Sequence, residues 1–300
     1  MSSQYQIISD SSCDLPQELV KKHGIKVVPF YVSFDQEHYY KEIEEMPVRK
    51  FYEDMVTNPG VFPKSSLPSI DDYISAFTPY VKEGIPVICI CITTKFSGSY
   101  NSASSARDIL LEDDPNAKIA VIDAQINTVL QGIYVLEAVR MRDNGLSFEE
   151  TVATLERQKS TGRIIFTTAD ISYLKSGGRL GKLVSIANNA LKIKPLILLK
   201  EGEIFPFGIA RSRHKSLDKV IAETRKHFNS IGESPDDYRF IVGFGYDYEE
   251  AVAFRDKLLA DLQTYSHIDQ LDIFQIGATI GVHTGPHPLG VGLIKKYELL

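Results

Sequence analysis

Two threonines, a lysine and two serines around one glycine stand at Thr93 to Ser99, TTKFSGS, directly after the apolar run VICICI. A glycine lets the backbone approach a ligand closely, and Ser97 with the amides of a starting helix can donate to an anion. The same residues can instead cap that helix, and local sequence leaves both readings open. Four further stretches join polar side chains to glycine or proline: SDSSCDLP (9–16), KSSLPS (64–69), YLKSGGRLG (173–181) and GVHTGPHPLG (281–290). In the last, His283 and His287 are separated by glycine and proline, and an imidazole there can hydrogen-bond a carboxylate or serve structure alone. Lys175, Arg179 and Lys182 in the glycine-rich loop suit a second anion cradle or a mobile loop. RSRHK (211–215) opens a helix with cations, which is unfavourable unless an anion or carboxylate compensates, so Arg211 and Arg213 stand out from ordinary surface arginines. A solvated helix start or an ion pair is the alternative. Asp10 and Asp14 have side chains that fix turns and cap the following helix.

Turnover is harder to write than binding. The chain lacks the GxSxG elbow, the GxxxxGK[ST] phosphate loop, a GxGxxG opening a helix after a strand, and the CxxC or HExxH spacings of a metal site. Ser97 and His283 can be drawn as nucleophile and base of a serine-dependent acyl hydrolase, but no third group stands out to orient the histidine. Binding of a small ligand's polar end fits better, with no metal and no cofactor expected.

These stretches need elements to position them. Short apolar runs at 6–9, 26–32, 87–92, 119–122 and 164–168 alternate with amphipathic stretches at 70–84, 99–111 and 128–144, the rhythm of strands joined by crossover helices. In such sheets ligands bind beyond the carboxyl ends of the strands, where the polar stretches fall. After about residue 160 the pattern changes. LILLKEGEIFPFG (196–208) reads as a hairpin across Glu201-Gly202, followed by a helix from Ser212 to about Ser230, a strand at 239–245, a helix from Glu249 and a strand at 271–277. The apolar ATIGV before His283 reads as strand, and the final GLIKKYE as a strand able to pair with either half. The expectation is an α/β protein of two lobes: residues 1–160 with a mostly parallel sheet and flanking helices, and residues 161–300 as a smaller mixed α/β lobe, whose last strand is free to return to the first.

Composition sets the outer bounds. With 300 residues, 43% hydrophobic and 24% charged, the chain has ample material for a core. A net charge of −6 argues against nucleic acid as a partner. No apolar stretch reaches the ~18–20 residues of a membrane span, and MSSQYQIISD lacks the basic start and apolar run of a secretory signal. Three cysteines do not make a disulfide framework, and Cys89 and Cys91 should share one buried strand face. A reduced, cytoplasmic setting is the expectation.

Taken together and in order, these motifs resemble the DegV family of bacterial fatty-acid-binding proteins. SDSSCDLP resembles the family's T/S-D-S-x-x-D-L-P, SSLPS its T-S-Q-P-S, SGSYNSA its S-G-T-Y-x-S-A, YLKSGGRL its Y-L-x-x-G-G-R-I, RSRHKS its R-T-R-K-K-A and HTGPHPLG its H-x-G-P-G-A-L-G. The resemblance implies a two-lobed fold enclosing one long-chain fatty acid (C14–C18), its tail in an apolar tunnel and its carboxylate at the lobe interface. It implies Ser65, Ser97, His283 and Arg211 as the ligand-binding residues, with Arg213 in place of Arg211 if that cluster aligns differently. It further implies a non-enzymatic carrier that presents the acid to a separate fatty acid kinase subunit, in phospholipid metabolism, with only transient membrane contact. Two departures bear on the site. Ser65 replaces threonine and keeps the hydroxyl without the methyl that restricts its rotamer. His287-Pro288 replaces Gly-Ala and stiffens the loop beside His283.

Overall fold

Fully buried apolar runs make the central strands, and proline, glycine and capping residues punctuate them. The computed structural model describes residues 5–169, 171–183 and 193–300. Before residue 160 the elements are β1 (Gln6–Asp10), α1 (Gln17–Lys22), β2 (Lys26–Val28), β3 (Tyr31–Ser33), β4 (Tyr40–Lys41), α2 (Val48–Thr57), β5 (Lys64–Ser66), α3 (Ile70–Lys82), β6 (Val87–Cys91), α4 (Ser99–Asp113), β7 (Ile119–Asp123), α5 (Thr128–Asp143) and α6 (Phe148–Gln158). After it come β8 (Arg163–Thr167), α7 (Ser172–Ser176), β9 (Lys194–Lys200), β10 (Glu203–Ala210), α8 (Arg213–Ile231), β11 (Tyr238–Phe244), α9 (Tyr248–Leu262), β12 (Ile273–Gln275), α10 (Ala278–Thr284) and β13 (Leu289–Lys295).

Strands β2-β1-β6-β7 form an all-parallel sheet. Every residue of β1 and β6 is buried, as a parallel sheet covered on both faces requires. Cys89 and Cys91 lie on one face with their sulfurs 3.7 Å apart. The apolar run 26–32 is not one strand. Pro29 has no N–H to give a ladder, and the chain breaks there into β2, which joins this sheet, and β3, which pairs antiparallel with β4 and β5 in a separate three-stranded sheet.

The second half builds a mixed sheet in the order β10-β9-β8-β13-β11-β12, with more strands than either sheet before it. β13, which the sequence left free to join either half, sits at its centre, antiparallel to both β8 and β11. Glu201 and Gly202 turn the β9–β10 hairpin with φ of 51° and 81°, the type I′ geometry that matches strand twist. That tip docks on the parallel sheet: Gly202 donates its N–H to the Gln125 carbonyl at 2.8 Å and accepts from the Thr93 hydroxyl at 3.2 Å.

Helix α5 lies between the two large sheets, packing on β1 as well as on β11 and β13. It is apolar almost all round and buried along nearly its whole length, the composition of a helix covered on both sides. The largest apolar cluster therefore draws on both sides of residue 160, from Ile7 and Ile90 to Ile197 and Ile241. One buried acid of α5 is well supplied with donors. Glu137, fully buried, accepts from Arg140 at 2.6 Å, Arg239 at 3.2 Å, Gln158 at 3.1 Å and the Tyr297 N–H at 3.0 Å.

Two short readings are corrected. ATIGV is not strand but the body of helix α10, since a short buried apolar run carries no period that separates the two. Only Ile273–Gln275 of the expected strand at 271–277 pairs, alongside β11.

Candidate ligand-binding site

Between the parallel sheet and the mixed sheet lies a cavity of about 230 Å³. Its walls are mostly apolar, with Phe30, Ile92, Phe166, Leu199 and Leu289 among them, and hydroxyls and an imidazole also line it. Three of the four residues named from sequence line it: Ser65, Ser97 and His283.

Each arrives on a different element. Ser65 lies on β5, and its Oγ is 3.3 Å from His283 Nε2. The neighbouring Lys64 anchors this strand by donating to the Ser176 carbonyl at 3.1 Å. Ser97 lies in the loop between β6 and α4. Its Oγ accepts the Ser99 N–H at 3.2 Å, which leaves its own proton to be donated into the cavity. Gly98, not Ser97, is the N-cap of α4, and the Ser97 oxygen serves the loop while its proton faces the cavity.

His283 projects from α10. Burial first, then the positive charges of Arg179 and Lys64, lower its pKa to about 4, so the ring is neutral near pH 7. Its Nδ1 is buried without a hydrogen-bond partner among the described residues and packs on Gly177, where a Cβ would lie only 2.1 Å away. Among the described residues no carboxylate orients the ring, and its hydrogen bond runs to Ser65 rather than Ser97. The nucleophile–base pair of the hydrolase reading is therefore not assembled.

Arg211 is not brought to this group. It is exposed ahead of α8 and is absent from the cavity lining. Arg213, its stand-in, is committed elsewhere: it donates to both carboxylate oxygens of Glu250, at 2.8 and 2.6 Å, tying α8 to α9. The guanidinium at the cavity is that of Arg179, from the glycine-rich loop. Arg179 donates to the Phe96 carbonyl at 3.1 Å and the Gly177 carbonyl at 2.6 Å, joining the Ser97 loop to the loop under His283. Sequence singled out Arg179 as a cation among glycines but not its place beside Ser97.

Behind the Ser97 loop, Asp10 is fully buried and accepts four hydrogen bonds, from the Ile92 N–H (3.0 Å), Ser99 Oγ (2.7 Å), Ser12 Oγ (2.6 Å) and Gln131 Nε2 (2.8 Å). Burial raises its pKa, and the four donors oppose the rise. The N-terminal signature thus serves structure, holding the loop that presents Ser97. Thr128, also in the cavity wall, adopts a φ of 52°, a conformation that costs a β-branched residue on the order of 1–3 kcal/mol and needs support from its surroundings.

Known proteins share this fold over nearly the whole chain. Residues 4–296 match the family model described as an uncharacterised protein of the DegV family. This chain belongs to the DegV family. Protein DegV of Bacillus subtilis is 30% identical over 286 residues, covering 95% of this chain and 97% of that one. The crystal structure of a stearic acid-binding protein from Eubacterium ventriosum superposes with a TM-score of 0.93 at 42% identity, covering 99% of this chain and all of that one. A fatty-acid-binding DegV family protein from Thermus thermophilus gives 0.85 at 28% identity, covering 97% and 99%. The DegV architecture is therefore shared from end to end.

Proposed function

We propose that this DegV protein is a carrier that binds one long-chain fatty acid, its acyl tail between the two large sheets and its carboxylate held by Ser65, Ser97 and neutral His283, with Arg179 supplying nearby positive charge in place of Arg211. The observation that carries the reading is one apolar cavity lined also by two serine hydroxyls and a histidine from three distant elements. The stearic acid-binding relative, alike over its whole length, supports the ligand class. Burying a methylene gains about 0.8 kcal/mol, so a chain of about 16 carbons gains on the order of 10 kcal/mol before the costs of association. The tail supplies affinity. A carboxylate taken out of water must find donors, and they set its orientation.

Native mass spectrometry of protein purified from cells tests this directly. The expected result is a co-purified C14–C18 acid; an empty protein that takes up no added stearate would defeat the reading. Presentation of the bound acid to a separate kinase, which would form an acyl phosphate from ATP, is the role that the family motifs support. Its test is a pull-down of an ATP-dependent acyl-phosphorylating activity by the loaded protein, with the empty protein as control.

A further inference from the structure

Two carboxyl groups face one another behind the cavity wall, with no cation between them among the described residues. Asp14 lies in the N-terminal signature and Glu42 follows β4, and they are 7% and 1% exposed. Both crowd Gly277, where a Cβ would lie 2.2 Å from Asp14 Oδ1 and 2.6 Å from Glu42 Oε1. Glu42 is well supplied with donors: the Ser11 hydroxyl at 2.6 Å, the Thr279 N–H at 3.0 Å and the Thr279 hydroxyl at 2.8 Å. Asp14 has fewer donors: its Oδ2 accepts the Thr128 hydroxyl at 2.6 Å and the Gly277 N–H faces the carboxyl, while its buried Oδ1 has no close hydrogen bond among the described residues. Among the described residues the other titratable groups facing the pair are Asp10, the Cys13 thiol and Tyr52, whose buried hydroxyl has no partner there. None of them brings positive charge. Burial first, and the Glu42 charge second, raise the Asp14 pKa well above the usual carboxylate range.

Two carboxylates in a dry site without a counter-ion do not both ionise. The donors indicate which one does: Glu42 is surrounded by them, whereas Asp14 has fewer, and its Oδ1 is the place for a proton. We infer that Asp14 and Glu42 hold one proton between them and act together as positioning residues for the ligand cavity, Asp14 through Thr128 and Glu42 through Thr279 at the start of α10. Thr128 and Thr279 both line the cavity, and His283 follows Thr279 by about one helical turn. Loss of the proton sets two buried charges against each other and pushes apart the two side chains that hold Thr128 and Thr279.

Choosing fatty acid as the ligand rests on the proposed function, whereas the proton is tested without it. Asparagine at position 14 suits the site, since it tolerates the φ of 49° found there and its amide offers Glu42 a donor at every pH. Infrared spectra of the empty wild-type protein at neutral pH should contain the carbonyl stretch of a buried protonated carboxylic acid, and Asp14→Asn should remove it. As pH rises until that band titrates away, wild-type affinity for stearate should fall about tenfold or more, while Asp14→Asn changes by less than about twofold. Asp14→Ala, which offers Thr128 no acceptor and Glu42 no donor, should bind weakly throughout. No band that Asp14→Asn removes would overturn the shared proton. Affinity that holds steady while the band disappears would overturn the positioning role. If neither wild type nor variants bind stearate, the carrier reading fails, and the band with the melting temperature of the empty protein still decides the proton. Because the native pKa is raised, its stabilising contribution is complete below the ordinary carboxylate range and is lost as pH rises through the native titration, so wild-type melting temperature should fall there and that of Asp14→Asn should not.

Discussion

Ser65 and His283 meet across 218 positions of chain, and the donors proposed for the carboxylate are single atoms on separate elements. Removing one donor to a charged group costs about 1.5–3 kcal/mol, so Ser97→Ala and His283→Ala should each weaken stearate binding by about tenfold to a hundredfold in calorimetric titration, with little change in melting temperature for Ser97→Ala. Arg179→Ala should lower affinity while Arg211→Ala should not, a contrast that tests the cation directly. Gly177→Ala should act on the site indirectly, because its Cβ would displace the His283 ring from 2.1 Å. It should weaken binding though residue 177 contacts no ligand. His283 also sets a pH limit on the empty protein. With a native pKa of about 4 against an ordinary 6.5, its stabilising contribution is complete above pH 6.5 and lost as pH falls through 4. Melting curves should show that acid-side loss, worth up to about 3 kcal/mol, reduced in His283→Gln.

Elements carry these residues to one place through a few inter-sheet contacts. The β9–β10 hairpin tip presses on the Ser97 loop, and a Cβ at Gly202 would lie 2.5 Å from Thr93 Oγ1 in a backbone that L residues rarely adopt. Gly202→Ala should cost on the order of 1–3 kcal/mol in urea unfolding and weaken ligand binding through the displaced loop. Helix α5 is held at its far end by Glu137. Its removal would leave Arg140 and Arg239 without their shared acceptor, and because both arginines are partly exposed the cost should be about 2–3 kcal/mol, near the lower end for a buried pair.

At the scale of the molecule, strands divide near residue 160 but the apolar core does not, and the cavity lies along the shared face. A ligand there touches both large sheets, so at a hundredfold excess over Kd it should stabilise the fold by about 2.7 kcal/mol, measurable as a rise in melting temperature. Much of this was legible in the sequence. Buried strands, the I′ turn at Glu201-Gly202, the capped helix after Ser69 and the polar loops beyond strand ends all rest on local period and local backbone preference, which short-range physics dictates. The motifs around Ser65, Ser97 and His283 were legible for the same reason. What the sequence could not hold is which distant groups meet. Pro29 splitting one apolar run between two sheets, ATIGV coiling as helix, β13 taking the centre of the mixed sheet, Arg179 rather than Arg211 at the cavity, and Asp14 facing Glu42 are all outcomes of long-range packing. Each depends on a contact between segments whose separation leaves no trace in either one's composition, and only the closed tertiary structure decides it.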